Sequence, residues 1–369
     1  MAGNFRFVGK VELNSLDSKV PFMREGTTKS GAPYMSFNMA VVAADKSNRA
    51  FVETFGTKKS EIKTRDVDGN DISIKWDDRE DPDVVKKVAY YKRYIIELDG
   101  TRHEFIGDYD FVQFLVKNAD AIKGKTFMVR GQIKPSVYNG KISLRYNFGS
   151  MIEVTPESEI QPGFTINAPF YYRAEDIDTA DWDAEKVINV NAYTSQYIDK
   201  DTGNKYVETP FVIDVSKADL TNEKVVKQLA FRLGLLGMEL KDGAIKVKIK
   251  KETVVSVPVE CNYINGSEEV EFDENELTET QKMAIEFGIN TIDDFKPKGN
   301  IWGAKKTIFK YKGSTLTGDY ADGCKTEDIS KADFEELIWK NAEAEETTKD
   351  LDKKVEEAAK ADDIDSLFS

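Results

Sequence analysis

Aromatic and basic side chains lie close together in several segments of the 369-residue sequence. The segment KKVAYYKRY places Tyr90, Tyr91 and Tyr94 beside Lys92 and Arg93. Aromatic side chains stack on the faces of unpaired bases, and lysine or arginine pairs with the phosphates, each stacked base contributing about 1–3 kcal/mol. These residue types therefore indicate binding of single-stranded nucleic acid.

Three further segments have the same mixture, and their candidate ligands to nucleic acid are Phe51, Phe55, Lys58 and Lys59; Arg130, Lys134, Tyr138, Lys141, Arg145 and Tyr146; and Trp302, Lys305 and Lys306. One alternative stays open for Phe51 and Phe55. Aromatic residues are common in strand interiors, so both could belong to the core of a β-barrel.

The residues that most enzymes need are scarce. His103 is the single histidine, and Cys261 and Cys324 are the two cysteines, which excludes a disulfide framework and a Cys/His zinc site. Acidic doublets at 77–78 and 293–294 could bind Mg²⁺, but such doublets are usually solvated surface. The sequence has no phosphate-binding GxxxxGK[ST], HExxH or nucleophile elbow, so we expect a non-enzymatic protein without a cofactor or metal.

The net charge of −14 is unevenly distributed. Residues 1–155 hold 25 basic and 21 acidic residues, and 8 of those acidic residues with 2 of the basic ones fall within 66–83. Residues 341–369 hold 10 acidic and 4 basic residues. A basic region beside acidic segments is compatible with phosphate binding by the first and protein contacts by the last.

The elements that must position these residues are mainly strands. In the first region, strand patterns at 5–13, 33–43 and 50–56 precede a hairpin signal at Asp99-Gly100. An amphipathic helix follows from Asp108 to Gly124, and two strands joined by Asn139-Gly140 close the unit.

A second region repeats this order of strands, one helix and a closing hairpin. That order is typical of a five-stranded barrel of the OB type, although other β-rich barrels stay possible. The predicted fold is therefore mainly β with some α, and the predicted parts are 1–155, an OB-like barrel with an insertion at about 57–107; 156–185, a linker; 186–273, a second OB-like barrel; 274–342, a helical and irregular region; and 343–369, a disordered acidic tail.

The last residues, ADDIDSLFS, combine acidic and apolar side chains. The carboxylates would be attracted to a basic rim on a partner, and the apolar residues would fill a small pocket. The same segment could occupy the protein's own basic groove, or it could serve solubility alone. The candidate partner-binding residues are Asp362, Asp363, Ile364, Asp365, Leu367 and Phe368.

A barrel of this kind followed by an acidic tip resembles single-stranded DNA-binding proteins, and the length and second barrel resemble their larger bacteriophage type. The resemblance covers the pattern over 1–155 and a tip of about eight residues. It implies that DNA is the ligand and that the tip recruits replication, recombination and repair proteins. The chain departs from the bacterial pattern by ending in Ser369, which puts recognition of a terminal phenylalanine in doubt.

One other reading follows from the same sequence. The protein could be a phage structural or assembly protein that uses its barrels for protein contacts, which predicts no DNA affinity. The sequence has no apolar run of about 20 residues, so we expect no membrane span, and two cysteines favour a reducing cytoplasm, that of the host cell if a phage encodes the protein.

Overall fold

The computed structural model describes residues 3–266, 269–270, 282, 301–302, 306–315 and 318–340, and at 266, 269–270, 301–302 and 306 the description covers the backbone alone. Over these residues the protein is mainly β, as predicted, with most strands in one large mixed sheet. Within the described part of the chain, no helix combines the length and the apolar character needed to cross a bilayer.

The first half contains ten strands and three helices among the described residues: β1 (Asn4–Glu12), β2 (Met23–Thr27), β3 (Pro33–Val42), β4 (Arg49–Thr57), β5 (Glu61–Arg65), β6 (Asp71–Lys75), β7 (Tyr94–Leu98), β8 (Thr101–Phe105), β9 (Thr126–Tyr138), β10 (Lys141–Glu153), α1 (Pro82–Lys87), α2 (Asp108–Lys117) and α3 (Ala119–Ile122). Five of these strands close into the first barrel. The order around it is β1, β3, β4, β10 and β9, with β9 pairing back to β1. The β4–β10 pairing is parallel and the other four are antiparallel.

The insertion between β4 and α2 folds around its own small core. Strands β5 and β6 pair, and Ile74, Val88 and Ile106 pack together beneath them. The β7–β8 hairpin turns at Asp99 and Gly100, both with positive φ, as the sequence predicts. Strand β7 then runs parallel to β10, which attaches the insertion to the first barrel.

The second half contains the remaining described strands and helices: β11 (Gly163–Tyr172), β12 (Ile177–Asp178), β13 (Val187–Val190), β14 (Tyr193–Asp199), β15 (Gly203–Glu208), β16 (Phe211–Asp214), β17 (Met238–Lys241), β18 (Ala244–Val247), β19 (Thr253–Gly266), β20 (Glu269–Val270), β21 (Ile301–Trp302), β22 (Lys306–Ser314), β23 (Lys325–Ser330), α4 (Trp182–Glu185), α5 (Glu223–Leu235) and α6 (Lys331–Leu337). A second barrel closes through β11–β14, β14–β15, β13–β16, β16–β22, β22–β19 and β19–β11. Its β16–β22 pairing is parallel, at the position where the first barrel has β4–β10.

The predicted boundaries of the second barrel are wrong at both ends. Its first strand, β11, lies inside the predicted linker 156–185, and its last, β22, lies inside the region 274–342. Strand β11 alternates strictly between buried and half-buried residues, with Phe164, Ile166 and Phe170 inside. Proline and aspartate in 156–185 made this segment look like a linker, but Pro169 pairs opposite Pro258, where neither residue has an amide hydrogen to donate.

The two barrels share a joint built on β1 and β11, which pair antiparallel from Asn4 to Val8. Phe7 is fully buried at this joint, and its ring lies 5.2 Å from the rings of both Phe164 and Tyr263 of the second barrel. The Asn48 side chain bridges the same joint, donating to the Tyr263 carbonyl at 2.6 Å and accepting from a backbone amide of β19. The barrels therefore have one continuous core.

The close approach of β9 and β10 requires a glycine at position 131. A Cβ added there would lie 2.0 Å from the carbonyl oxygen of Asn147, next to the irregularity in β10 between Phe148 and Ser150. We expect Gly131→Ala to lower the free energy of unfolding by about 1–3 kcal/mol, as overpacking typically does. Urea denaturation measures this, with Gly313→Ala as the control, because Gly313 lies in β22 with open space around its Cα. Equal losses in both variants would contradict the steric account.

Candidate nucleic-acid interface

Strand β4 presents two phenylalanines to solvent. Its residues alternate, with Ala50, Val52 and Thr54 buried inside the first barrel, whereas Phe51 and Phe55 are 55% and 46% exposed. The alternative that these phenylalanines belong to the barrel core is therefore wrong. Exposed aromatic side chains on a regular strand lose hydrophobic stabilisation, and clusters of them commonly mark a binding surface.

Neighbouring side chains extend this surface. Tyr34 of β3 stacks on Phe55, with ring centroids 5.2 Å apart and planes 28° apart. The guanidinium of Arg49 lies 5.5 Å from the centroid of the Phe51 ring. We call the outward side chains of Tyr34, Arg49, Phe51 and Phe55 the aromatic face. It offers flat apolar surface at two places along one strand, each of which can stack a base.

A charged pair lies between the two phenylalanines. The Glu53 carboxylate accepts from Arg145 of β10 at 3.2 and 3.1 Å, and Asn38 pairs opposite Glu53 across β3 and β4. Arg145 thereby compensates the negative charge that Glu53 brings to the aromatic face. These polar groups carry both hydrogen-bond donors and acceptors beside the exposed phenylalanines.

Strand pairing brings four of the predicted basic residues to the same side of the sheet. Lys134 lies opposite Arg145, and Tyr138 lies opposite Lys141, so all four share one face with Asn147 and Glu53. Arg130 lies four residues before Lys134 on β9, so its exposed side chain points to the same face. The structure therefore places five predicted ligands beside the aromatic face: Arg130, Lys134, Tyr138, Lys141 and Arg145.

A cleft of about 620 Å³ begins at Phe51 of the aromatic face and is also lined by Glu53 and Arg145. The segment between β1 and β2 forms one wall with Lys19 and Val20, and strands β3, β4 and β10 form its floor. Val20 of this wall is exposed, and Phe51 lines the same cleft, so a ligand in the cleft can contact both apolar side chains. Tyr263 reaches the cleft from the second barrel.

Three predicted ligands are buried or engaged in the fold. Tyr146 points inward with Val52, is 8% exposed and packs on Phe7, which corrects the prediction of an exposed DNA ligand. Like Tyr263, it lines the cleft from the core. Tyr94 is half-buried and stacks on Phe111 at 5.3 Å, and its burial raises its pKa to about 12. Arg93 donates to the Val88 carbonyl and the Glu104 carboxylate, and its hydrogen bond holds the pKa of Glu104 below the usual value.

The remaining predicted residues of the KKVAYYKRY segment form a separate exposed patch on the insertion. Tyr90 and Tyr91 are both more than half exposed, and Arg102 donates to the Tyr90 hydroxyl at 2.7 Å. The Lys92 ammonium lies 5.7 Å from the Tyr91 ring centroid. This patch adjoins a second cleft of about 620 Å³ between β5, β6 and Lys92.

Lys58 and Lys59 follow directly after the aromatic face. Lys58 is exposed, and Lys59 pairs with Asp108 at 3.1 Å. Asp108 is the first residue of α2, where the predicted helix begins, and its carboxylate accepts from the Thr57 amide. Lys305 and the side chains of Trp302 and Lys306 lie outside the described residues, as do all the predicted partner-binding residues of the tip.

Sequence reasoning missed several residues of this surface. Tyr34 is not among the predicted ligands, yet it lies on the outer side of its strand, because the buried residues are Met35, Phe37 and Met39. The alternation of Met35, Phe37 and Met39 indicates the buried face of β3. A tyrosine suits either face of a strand, so this alternation alone does not single out Tyr34. Tyr263 had no local signal, because only the joint of the two barrels brings it to the cleft.

The described residues contain no group of three His, Cys, Asp or Glu side chains that could hold a metal ion. Both cysteines are free, and burial raises the pKa of the Cys261 and Cys324 thiols above their ordinary value. A buried thiol that stays protonated is a poor nucleophile. These side chains therefore add packing to the second barrel rather than a reactive centre.

Comparisons with known proteins give little beyond this geometry. No family model matches the sequence, and no curated protein matches it. Among solved structures, the chain is similar to a deletion mutant of the single-stranded DNA binding protein from Thermus aquaticus, with 8% identity and a TM-score of 0.28 over 75% of this chain and 98% of that chain. At those values the two chains share too little superposable structure for fold or function to be transferred.

Proposed function

We propose that the protein binds single-stranded DNA through the aromatic face of the first barrel, without enzymatic activity and largely without sequence preference. The observation that carries this proposal is the exposure of Phe51 and Phe55 on one strand, beside a line of basic side chains. Unpaired bases can stack on the phenylalanines while lysine and arginine follow the phosphates. Duplex DNA keeps its base faces covered, so it would meet only the basic side chains.

The first barrel is proposed to be of the OB type. Its chain order is three strands, a helix and two strands, and it closes through a parallel pairing of the third and fifth strands. Barrels of this type bind nucleic acid on the second and third strands, between two flanking connections. Here those strands are β3 and β4, and the cleft lies on them beside the connection from β1.

The role proposed in the cell is protection of single-stranded DNA and recruitment of replication, recombination and repair proteins. Recruitment is assigned to the acidic and apolar tip, on its composition and on the resemblance to single-stranded DNA-binding proteins. DNA rather than RNA as the ligand also rests on that resemblance. The tip would act independently of the barrel, so removing it should leave the binding surface intact.

The deciding experiment is a fluorescence titration of labelled oligo-dT, with duplex of equal length as the comparison. The full-length protein and a version lacking residues 361–369 are both titrated. We expect preference for the single strand in both, with affinity unchanged or tightened when the acidic tip is removed, because the tip repels phosphate. Absence of binding by either form at low salt would contradict the proposal and favour a protein-contact role for the exposed face.

Salt dependence provides a separate prediction. If the four basic side chains Arg130, Lys134, Lys141 and Arg145 pair with phosphates, the slope of log K against log[salt] should be roughly −3 for a single strand. The measurement is a set of titrations between low and physiological salt, with Lys134→Ala as a variant that should make the slope shallower by roughly 0.7. A slope near zero would exclude phosphate pairing as the main source of affinity.

A further inference from the structure

Two arginines face each other across neighbouring strands at the joint of the barrels. Arg6 of β1 lies directly opposite Arg130 of β9. Both side chains point outward, because Phe5 and Phe7, which flank Arg6, are buried in the core. Residues directly opposite each other on antiparallel strands have Cβ atoms about 4.5–5.5 Å apart, and like charges there destabilise the sheet. An anion beside both guanidiniums would remove this repulsion.

Uncharged partners hold the Arg6 guanidinium in place. Its Nε donates to the sulfur of Met128 at 3.3 Å, and a terminal nitrogen donates to the Gln161 carbonyl at 2.8 Å. Neither partner neutralises the positive charge, but both restrict the direction in which the half-buried side chain points. Arg6 is therefore ordered before any ligand arrives, which lowers the entropy lost on binding.

Among the described residues, a carboxylate compensates this arginine pair only in part. Burial and the neighbouring charge of Arg130 lower the pKa of the Arg6 guanidinium, whereas the charge of Glu260 raises it. The Glu260 carboxylate pairs with Lys312 at 2.7 Å, so much of its charge is already neutralised. A phosphate group suits this place, because it is anionic and its oxygens can accept hydrogen bonds from two guanidiniums at once.

The arginine pair continues the line of basic side chains beside the aromatic face. Arg130 lies four residues from Lys134, which is about 13 Å along a strand. Arg6 lies one strand further, and strand pairing continues the same row to Thr165 of β11 and Asn262 of β19. A DNA strand that leaves the aromatic face along β9 would therefore reach the arginine pair before it reaches the second barrel.

We infer that Arg6 and Arg130 together bind one phosphate of the bound single strand at the joint of the two barrels. The inference rests on the proposed function, and it extends the binding surface from the aromatic face to the edge of the second barrel. It also explains why a half-buried arginine with uncharged partners stands opposite another arginine. The bound phosphate offsets a repulsion that the free protein carries.

The experiment measures the affinity for labelled oligo-dT of two lengths by fluorescence titration at low salt. The lengths are about 4 and about 16 nucleotides, the limits of what one such barrel covers. We expect Arg6→Gln to weaken binding of the longer oligonucleotide by roughly tenfold or more, as loss of a hydrogen bond to a charged group does. Binding of the shorter one should stay within about twofold, because stacking on the aromatic face holds it away from the joint.

Two further variants make this result specific. Arg130→Gln changes an exposed side chain, so it should fold even if Arg6→Gln does not, and it should show the same loss with the longer oligonucleotide. Arg232→Gln is the matched control. Arg232 is an exposed arginine of α5 that also donates to a backbone carbonyl, and α5 is not part of the row that contains Arg6. Its replacement should leave both affinities unchanged.

Urea denaturation separates phosphate binding from a structural role of Arg6. Because Arg6→Gln removes a like-charge contact, the urea midpoint should stay the same or rise. A lower midpoint with equal affinity losses at both lengths would overturn the inference. Loss of affinity in Arg130→Gln but not in a folded Arg6→Gln would also overturn it, since Arg130 would then bind the phosphate alone. No binding of either oligonucleotide by the wild type would instead contradict the proposed function.

Discussion

Replacing Phe51 and Phe55 together by alanine is expected to weaken binding of oligo-dT by roughly 30-fold to 10⁴-fold, because each base-stacking side chain contributes about 1–3 kcal/mol. Both side chains are about half exposed, so their removal leaves no cavity in the barrel. The loss should therefore appear in affinity and not in the urea midpoint. A fluorescence titration with labelled oligo-dT, together with urea denaturation, measures both quantities.

The matched control for this prediction is Phe231→Ala. Phe231 is 64% exposed on α5 of the second barrel, so its removal deletes a similar apolar area away from the aromatic face. It should leave the affinity for oligo-dT within about twofold. If the double variant binds oligo-dT as the wild type does, base stacking on β4 is excluded and the basic side chains alone account for binding.

The local pattern of the first barrel could be predicted from the sequence. Asn139 and Gly140 both take positive φ at the turn between β9 and β10, as a two-residue hairpin with that sequence requires. Strict alternation then puts Lys134 and Arg145 on one face. Where alternation was strict, the predicted ligands share a face, because successive side chains on a strand point to opposite sides.

Tyr146 could not be assigned correctly from the same pattern. It follows Arg145 directly, so it points to the opposite side, and its amphipathic side chain suits either environment. Its place in the core depends on Phe5, Phe7 and Tyr263, which lie far away in sequence. A tyrosine between lysine-rich and apolar segments therefore carries no decisive signal by itself.

The residue range predicted for the second barrel was too short, because the strand pairings that close this barrel join residues far apart in sequence. Strand β11 pairs with β14 and β19 in the second barrel and with β1 at the joint, so none of its partners is its immediate neighbour in sequence. The parallel contact that closes this barrel joins Val212 to Lys310. Local periodicity identifies a strand but does not say which strands it pairs with, and here the pairing decides the boundary.

The largest effect on stability is expected at the joint of the barrels. Phe7→Ala should lower the free energy of unfolding by about 3–5 kcal/mol, the usual cost of deleting a buried phenylalanine. Phe7 contacts the rings of Phe5 and Tyr146 in the first barrel and of Phe164 and Tyr263 in the second. Because both barrels contribute rings to this cluster, the cavity should destabilise both barrels. Urea denaturation gives the total loss, and amide hydrogen exchange of β9 and β19 divides it between the barrels.

Phe111→Ala is the control that separates a shared core from two adjoining ones. Phe111 is as fully buried as Phe7, but its ring partners, Tyr94, Phe105 and Phe148, all lie in the first barrel and its insertion. We expect Phe111→Ala to reduce amide protection in β9 more than in β19, whereas Phe7→Ala should reduce both to a similar extent. If β19 keeps its full protection in Phe7→Ala, the second barrel is stable without the joint. Tyr263 would then line the cleft of the first barrel only when the second barrel is docked against it, and the shape of the cleft would depend on how the two barrels dock.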